Sequence, residues 1–293
     1  MISPRVVSWL DRLVANAWVR LPQVFFPARA RETGRGIIVA VTTHPPRIGS
    51  VDLTLRSILR QSLQIDCIVL VLSELEFPGG LPALPSRLRR LLGRAGGRIE
   101  ILWTPDNKRS FKKLLPVVEK YPEATIITAD DDVFYWRSWA NALASAAQRF
   151  PGTIVGTRGT QILLTGKTVQ PYLSWPHCRT DRPGHSIFLT GNGGILYPPG
   201  ALDPTVQDWA LASVLCPSAD DIWFKAMATL AGTQAVRVNT GRDYPPNGAT
   251  QAGALWVQNV GLDQNDEAFN KVVDYFHLRT VYAGSAEATS ESS

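Results

Sequence analysis

Three consecutive acids, Asp130, Asp131 and Asp132, stand in the run TADDDVFY, directly after the β-rich stretch Ala124 to Thr128. In an extended backbone, side chains two residues apart point to one side. On that geometry Asp130 and Asp132 face together and Asp131 faces away. Two converging carboxylates suit a hard divalent cation, Mg2+ or Mn2+, which is held by one or two carboxylates together with the phosphates of a substrate. The same acids could instead cap the helix expected over Trp136 to Arg149, because aspartate is a favoured cap and stabilises the helix dipole. The triplet alone leaves both readings open. A second acidic pair, Asp220 and Asp221, lies in SADDIWF. Ser218 with Asp221 resembles a capping box in which Asp replaces Glu. At a helix N-terminus the dipole also keeps an aspartate ionised, so one of the pair could serve as general base towards an acceptor hydroxyl.

Basic and small residues surround these acids along the chain. Lys108, Arg109, Lys112 and Lys113 cluster just before a helix expected over Leu114 to Lys120, one helix and one strand ahead of the triplet. Such a run can be a solvated helix start, but lysine is also a common phosphate contact. Thr42, Thr43, His44 and Arg47 in TTHPPR follow the apolar run Ile37 to Val41. Gly191, Gly193 and Gly194 in FLTGNGGILYPPGAL permit close backbone approach to a ligand or an unusual turn. That stretch lacks the GKS or GKT ending of a P-loop.

The elements that must position these groups follow from apolar periodicity. Ile37 to Val41, Cys67 to Leu72, Ile99 to Trp103 and the run before the triplet read as buried strands. Between the first two, a helix over Val51 to Gln61 turns Val51, Leu55, Ile58 and Leu59 inward. Strand, helix, strand in that order predicts an α/β fold with a parallel sheet, whose ligands sit at the carboxyl ends of the strands. Further on, short strands are expected over Thr153 to Val155, Gln161 to Leu164 and Ala235 to Val238. Helices are expected from SADDIWF to Leu230 and over Asp263 to Tyr275.

With 45% hydrophobic and 19% charged residues in 293, the composition is that of a globular chain with a substantial core and excludes extensive disorder. Cys67, Cys178 and Cys216 show no CxxC spacing, which argues against a disulfide framework or zinc site and suggests a reducing compartment. No secretory signal is evident and no apolar run approaches the roughly 18 residues that span a bilayer. The expected location is cytoplasmic, either free or peripheral on the cytoplasmic face of the inner membrane. Residues 1–35 hold six arginines against two acids, which places four of the five net positive charges there. On a helical wheel Val6, Leu10, Leu13, Val14, Ala17, Trp18 and Leu21 share a face, opposite Arg5, Arg12 and Arg20. Two readings compete for this basic amphipathic helix: a membrane contact through residues 1–30, or packing on the domain or a partner. A nucleic-acid binder would carry a basic stripe across its folded domain, and none is seen, so nucleic acid is not expected as a partner.

Taken in order, TTHPPR, SILRQS, FKKLLPVVEKYP, TADDDVFY, TGNGGILYPP and SADDIWFKAM resemble bacterial glycosyltransferases of the GT-A fold, close to family 2 and often encoded for surface polysaccharide synthesis. The resemblance covers roughly residues 36 to 275. It implies a metal-dependent, hexosyltransferase-type enzyme that moves sugar from a nucleotide-sugar donor to a glycan or lipid-linked acceptor, with Mn2+ or Mg2+ as cofactor. It divides the chain into an N-terminal helix and linker (1–35), a GT-A domain (36–280) and a disordered tail (281–293). Within the domain, 36–135 is the nucleotide-sugar-binding half and 136–280 the acceptor half. By position Asp130 and Asp132 match the DxD metal ligands. Thr42, Thr43, Arg47, Lys112, Lys113, Asp130 and Asp131 fall at the donor. Gly193, Gly194 and Trp223 fall at the acceptor, and Asp221, with Asp220, matches the pair that includes the catalytic base. Two departures stand out: Ser73 and Glu74 occupy the end of the second strand where many members carry an acid, and the pair is DD instead of ED. Two rival readings remain. A DxD phosphatase or phosphotransferase would use Asp130 as nucleophile, but Phe134 stands where its motif has Thr or Val. A non-catalytic carbohydrate-binding module would stack sugar on Trp175 and Trp223.

Overall fold

The computed structural model of the chain describes residues 4–21, 36–241, 244–246 and 264–283. The linker expected over residues 22–35 and residues 284–293 of the expected tail lie outside these. The chain forms two compact units: Met1–Asn107, Lys112–Ala142 and Thr240–Gly253 make the first, and Lys108–Phe111, Leu143–Asn239 and Ala254–Ser293 the second.

The first unit alternates helices and strands: α1 (Pro4–Arg20), β1 (Ile37–Thr42), α2 (Val51–Leu59), β2 (Cys67–Ser73), α3 (Gly80–Ala83), α4 (Ser86–Arg94), β3 (Ile99–Thr104), α5 (Leu115–Lys120), β4 (Thr125–Ala129) and the start of α6 (Trp139–Arg149). Its four strands lie in the order β4, β1, β2, β3, all parallel. Every residue of β2 is buried, as a parallel strand covered on both faces requires. The apolar run is therefore continuous instead of alternating. The expected elements are found here, with ends within three residues of the sequence reading.

The helix α1 packs on this unit, although not with the face the wheel selects. Ala15 and Val19 form a buried cluster with Leu53 and Phe134, joined by Trp18 and Trp136, whose rings lie 6.4 Å apart. The Arg60 guanidinium sits 5.5 Å over the Trp18 ring and its Nη2 donates to the Leu21 carbonyl at 2.5 Å. A small and a β-branched residue one turn apart form the face that the helix packs on Leu53 of α2.

The second unit contains β5 (Ile154–Gly156), β6 (Gly159–Gln161), β7 (Leu164–Thr165), β8 (Thr168–Val169), β9 (Ile187–Leu189), β10 (Ile195–Tyr197), α7 (Trp209–Leu215), α8 (Asp220–Leu230), β11 (Ala235–Arg237) and α9 (Gln264–Tyr275). Strand β5 pairs parallel with β11 and antiparallel with β10, while β6 pairs with β9 and β7 with β8. The architecture is mixed α/β with mostly parallel pairing. Trp175, Phe188 and Phe269 pack edge to face, with ring centroids 4.8 to 6.2 Å apart. The expected disordered tail begins too early at 281: residues 281–283 are helical, and Tyr282 is fully buried with its hydroxyl 3.2 Å from Thr229 Oγ1.

Candidate active site

In the first unit the chain runs from β1 outward to β2 and β3 and then returns to place β4 on the other side of β1. That reversal is a topological switch point, and loops leaving the carboxyl ends of β1 and β4 diverge there to leave a crevice. The loop after β1 carries Thr43 and Arg47; the loop after β4 carries the acidic triplet.

Strand β4 ends at Ala129, and Asp131 and Asp132 lie in a turn. The extended-strand alternation expected for the triplet therefore fails. Asp131 does not face away from the site-forming groups: it is buried, accepting from Thr43 Oγ1 at 2.6 Å and Arg47 Nη1 at 2.9 Å. The same guanidinium nitrogen lies 3.0 Å from Asp132 Oδ2, and Lys113 Nζ lies 3.0 Å from Asp130 Oδ1. Asp131 thus anchors the turn, while Asp130 and Asp132 flank it. The capping alternative is also overturned, because α6 begins only at Trp139 and has no acid in its first turn. Thr42 is occupied in the sheet, its Oγ1 donating to the Val71 carbonyl at 2.8 Å. Pro45 and Pro46 shape a tight turn in which the His44 carbonyl accepts from Arg47 N at 2.9 Å, and this aims the guanidinium.

Polar residues on the buried side of α2 hold the acidic loop. Thr54 Oγ1 donates to the Asp131 carbonyl at 2.8 Å and Tyr135 N donates to Ser57 Oγ at 3.1 Å. Just past the end of the helix, Gln61 Nε2 donates to the Trp136 carbonyl at 2.9 Å and its Oε1 accepts from Ala140 N at 3.0 Å. The Tyr135 hydroxyl, buried, accepts from Asp130 N at 2.9 Å. Residues 54, 57 and 61 are spaced by one helical turn, so they form a stripe. Hydrophobic patterning passes over them; the SILRQS motif was the available signal.

The two lysines part company. Lys113 reaches the triplet, but Lys112 is buried in an ion pair with Glu76, with Asn107 Oδ1 3.3 Å from its Nζ. It ties the loop after β2 to the loop after β3, leaving its ammonium to serve a donor only through that cluster. Burial lowers the pKa of His44, which feels the charges of Asp131, Arg47, Glu76 and Lys112.

In the second unit, Asp221 is the second residue of α8 and its Oδ2 accepts from Gly191 N at 3.0 Å. The N-cap position of this helix is Ala219, one residue later than the capping box expected from Ser218 requires. Both acids lie in the first turn, at the positive end of the helix dipole. Burial, followed by the charge of Asp221, pushes the Tyr172 phenol up to about 12, which marks Tyr172 as a neighbour the sequence did not disclose. Arg158 and Asn192 are further neighbours, linked Nη1 to Oδ1 at 2.8 Å. A Cβ on Gly193 would stand 2.3 Å from Thr157 Oγ1, and Gly194 has φ 83°. Internal packing accounts for Gly193 and a left-handed backbone for Gly194. Trp223, expected at the acceptor, is wholly buried, its Nε1 donating to the Val206 carbonyl at 3.0 Å. Trp175 is buried as well. Neither ring offers a face to a sugar, so the binding-module reading loses both its platforms.

The flanking acids of the triplet, Asp130 and Asp132, are the ones whose chemistry suits a divalent cation. Both oxygens of Asp131 are taken by protein donors, whereas burial and then the charge of Asp130 push the Asp132 carboxyl up to about 6, against the pull of Arg47. Negative charge is in excess at this turn. Among the described residues no group of three or more His, Cys, Asp or Glu could hold a metal by itself. Two carboxylates completed by substrate phosphates are the donor set Mg2+ and Mn2+ accept.

No protein-family profile and no curated protein matches the sequence. Among solved structures, the chain is similar to the mannosyltransferase PcManGT from Pyrobaculum calidifontis in complex with GDP-Man and Mn2+, at 14% identity over 98% of this chain and 83% of that one, with TM-score 0.46. It is similar to a 4-diphosphocytidyl-2C-methyl-D-erythritol synthase from Anaerococcus prevotii at 12% identity, over 74% and 89% of the two chains, with TM-score 0.43. S. aureus TarS 1-349 matches at 11% identity over 83% and 72%, with TM-score 0.45. At these scores the likenesses carry none of the chemistry, which rests on the residues.

Proposed function

We propose that the chain is a metal-dependent glycosyltransferase of the GT-A type. It moves a hexosyl group from a nucleotide-sugar donor to a glycan or lipid-linked acceptor, in bacterial surface polysaccharide synthesis. The observation that carries this reading is the acidic turn at the switch point. Asp131 is saturated by Thr43 and Arg47, while Asp130 and Asp132 remain as an over-charged pair beside Lys113. That arrangement suits a divalent cation whose remaining coordination positions a diphosphate would fill.

Asp130 and Asp132 would hold the cation. When bound, it supplies positive charge to the diphosphate of the donor and eases its departure. Lys113 and Arg47 add positive charge on the protein side, and Thr43 fixes Asp131 so that Arg47 keeps its position. Asp221 accepts the proton of the acceptor hydroxyl as its oxygen attacks the anomeric carbon and the nucleoside diphosphate leaves. The Gly191 amide holds the Asp221 carboxylate in place. A panel of nucleotide sugars, screened by thermal shift with and without Mn2+ and followed by mass analysis of products on lipid-linked and free glycans, tests the proposal. Stabilisation by one nucleotide sugar only with Mn2+, and an added hexose mass, is the expected result. Glycan binding with no nucleotide affinity, or a phosphorylated Asp130, would overturn it.

A further inference from the structure

The helix α1 presents two unlike faces. Toward the first unit it turns Ala15 and Val19, both fully buried, with Trp18 packed beside them. Away from it, Leu13, Val14 and Leu21 are 49%, 56% and 55% exposed, and Ala17 between them is exposed too. Positions 13, 14, 17 and 21 form one stripe along two turns, about 12 Å long at 1.5 Å per residue. Arg20, also exposed, borders it. Packing on the domain uses the narrow face of the helix and leaves the broader apolar face outward.

We infer that this outward face docks on a bilayer surface bearing anionic headgroups. The stripe supplies apolar side chains to the acyl boundary, and the arginine-rich segment supplies the charge complement: six arginines against two acids in residues 1–35. No helix among the described residues is long and apolar enough to cross a membrane, so the contact lies in the plane of the surface. A second copy of the chain fits the face less well. A stable dimer buries roughly 800 Å² per partner, far more than four side chains on two turns provide. The inference is independent of the transferase chemistry.

Deleting the helix would uncover Leu53 and Phe134, so outward substitutions are the sound test. Flotation of the full chain with phosphatidylcholine vesicles, with and without phosphatidylglycerol, should show binding to the anionic vesicles alone, weakened by salt. The triple variant Leu13→Glu, Val14→Glu, Leu21→Glu should bind at least about tenfold more weakly while keeping its melting temperature. If it does not fold, Leu13→Ser, Val14→Ser, Leu21→Ser provides the same comparison. A wild-type chain that ignores anionic vesicles, or a folded triple variant that binds them equally, overturns the inference. So does concentration-dependent dimerisation abolished by the triple variant with no vesicle binding by either protein.

Discussion

Ala-Asp-Asp occurs twice, at Ala129 to Asp131 and at Ala219 to Asp221, and the two stretches manage packed negative charge by different means. After β4 the backbone turns, and the carboxylates are met by side-chain cations, Arg47 and Lys113. At the start of α8 the acids lie in the first turn, where the dipole and the Gly191 amide compensate them. On the proposed reading the first cluster takes a metal diphosphate and the second takes a proton. The sequence letters are the same; the compensating groups decide the chemistry.

Substitutions separate the two devices. Asp221→Asn keeps the hydrogen-bond acceptor for Gly191 but removes the base, so transfer should fall by about 10²–10⁴-fold while donor binding, measured by calorimetry, is unchanged. Equal loss of both would mean that Asp221 only braces the loop. At the other stretch, Arg47→Leu leaves Asp131 and Asp132 without their shared partner. Breaking a largely buried pair in this way costs on the order of 3–5 kcal/mol, read as a fall in the urea midpoint. The loss should shrink on acidification, because protonation of Asp132, whose carboxyl burial pushes up to about 6, relieves the repulsion.

Along α8, Lys225 gives a smaller and opposite effect. It is buried, its Nζ lies 5.5 Å from the Tyr282 ring with no hydrogen-bond partner among the described residues, and burial brings its pKa down to about 7 from 10.5. Between those values the unfolded chain binds more protons than the native one, so stability rises with pH through that window. Below pH 7 both states are protonated and the cost of the buried charge is present in full. Lys225→Met should therefore stabilise by on the order of 1–3 kcal/mol near pH 6 and by less toward pH 10. Melting temperatures of the two proteins at both pH values check this.

Much of the first unit was legible because its parallel strands are continuous apolar runs and its helices show a clear inner face. The acids were legible as chemistry because three carboxylates in one place demand compensation. What was hidden depends on where elements stop. Ending β4 at Ala129 instead of staying extended through the triplet makes Asp131 the anchor, and no local letter fixes that register. The stripe of Thr54, Ser57 and Gln61 was invisible to apolar periodicity, since its residues are buried by hydrogen bonding to a loop some 75 residues away in sequence. In the second unit β9 and β10 are three residues each, too short to show a period. Trp223 beside an acidic pair looked like a stacking platform, but a tryptophan's type does not disclose which side of the helix it occupies.

The central claim is that Asp130 and Asp132 take a metal diphosphate together. Calorimetric titration of the preferred donor's nucleoside diphosphate into the wild-type chain and into Asp132→Ala, each with and without Mn2+, tests it most directly. The account predicts binding by the wild type only when Mn2+ is present and none by the variant under either condition, with the variant's melting temperature preserved. Binding of equal strength without Mn2+, or full Mn2+-dependent binding by Asp132→Ala, would contradict it.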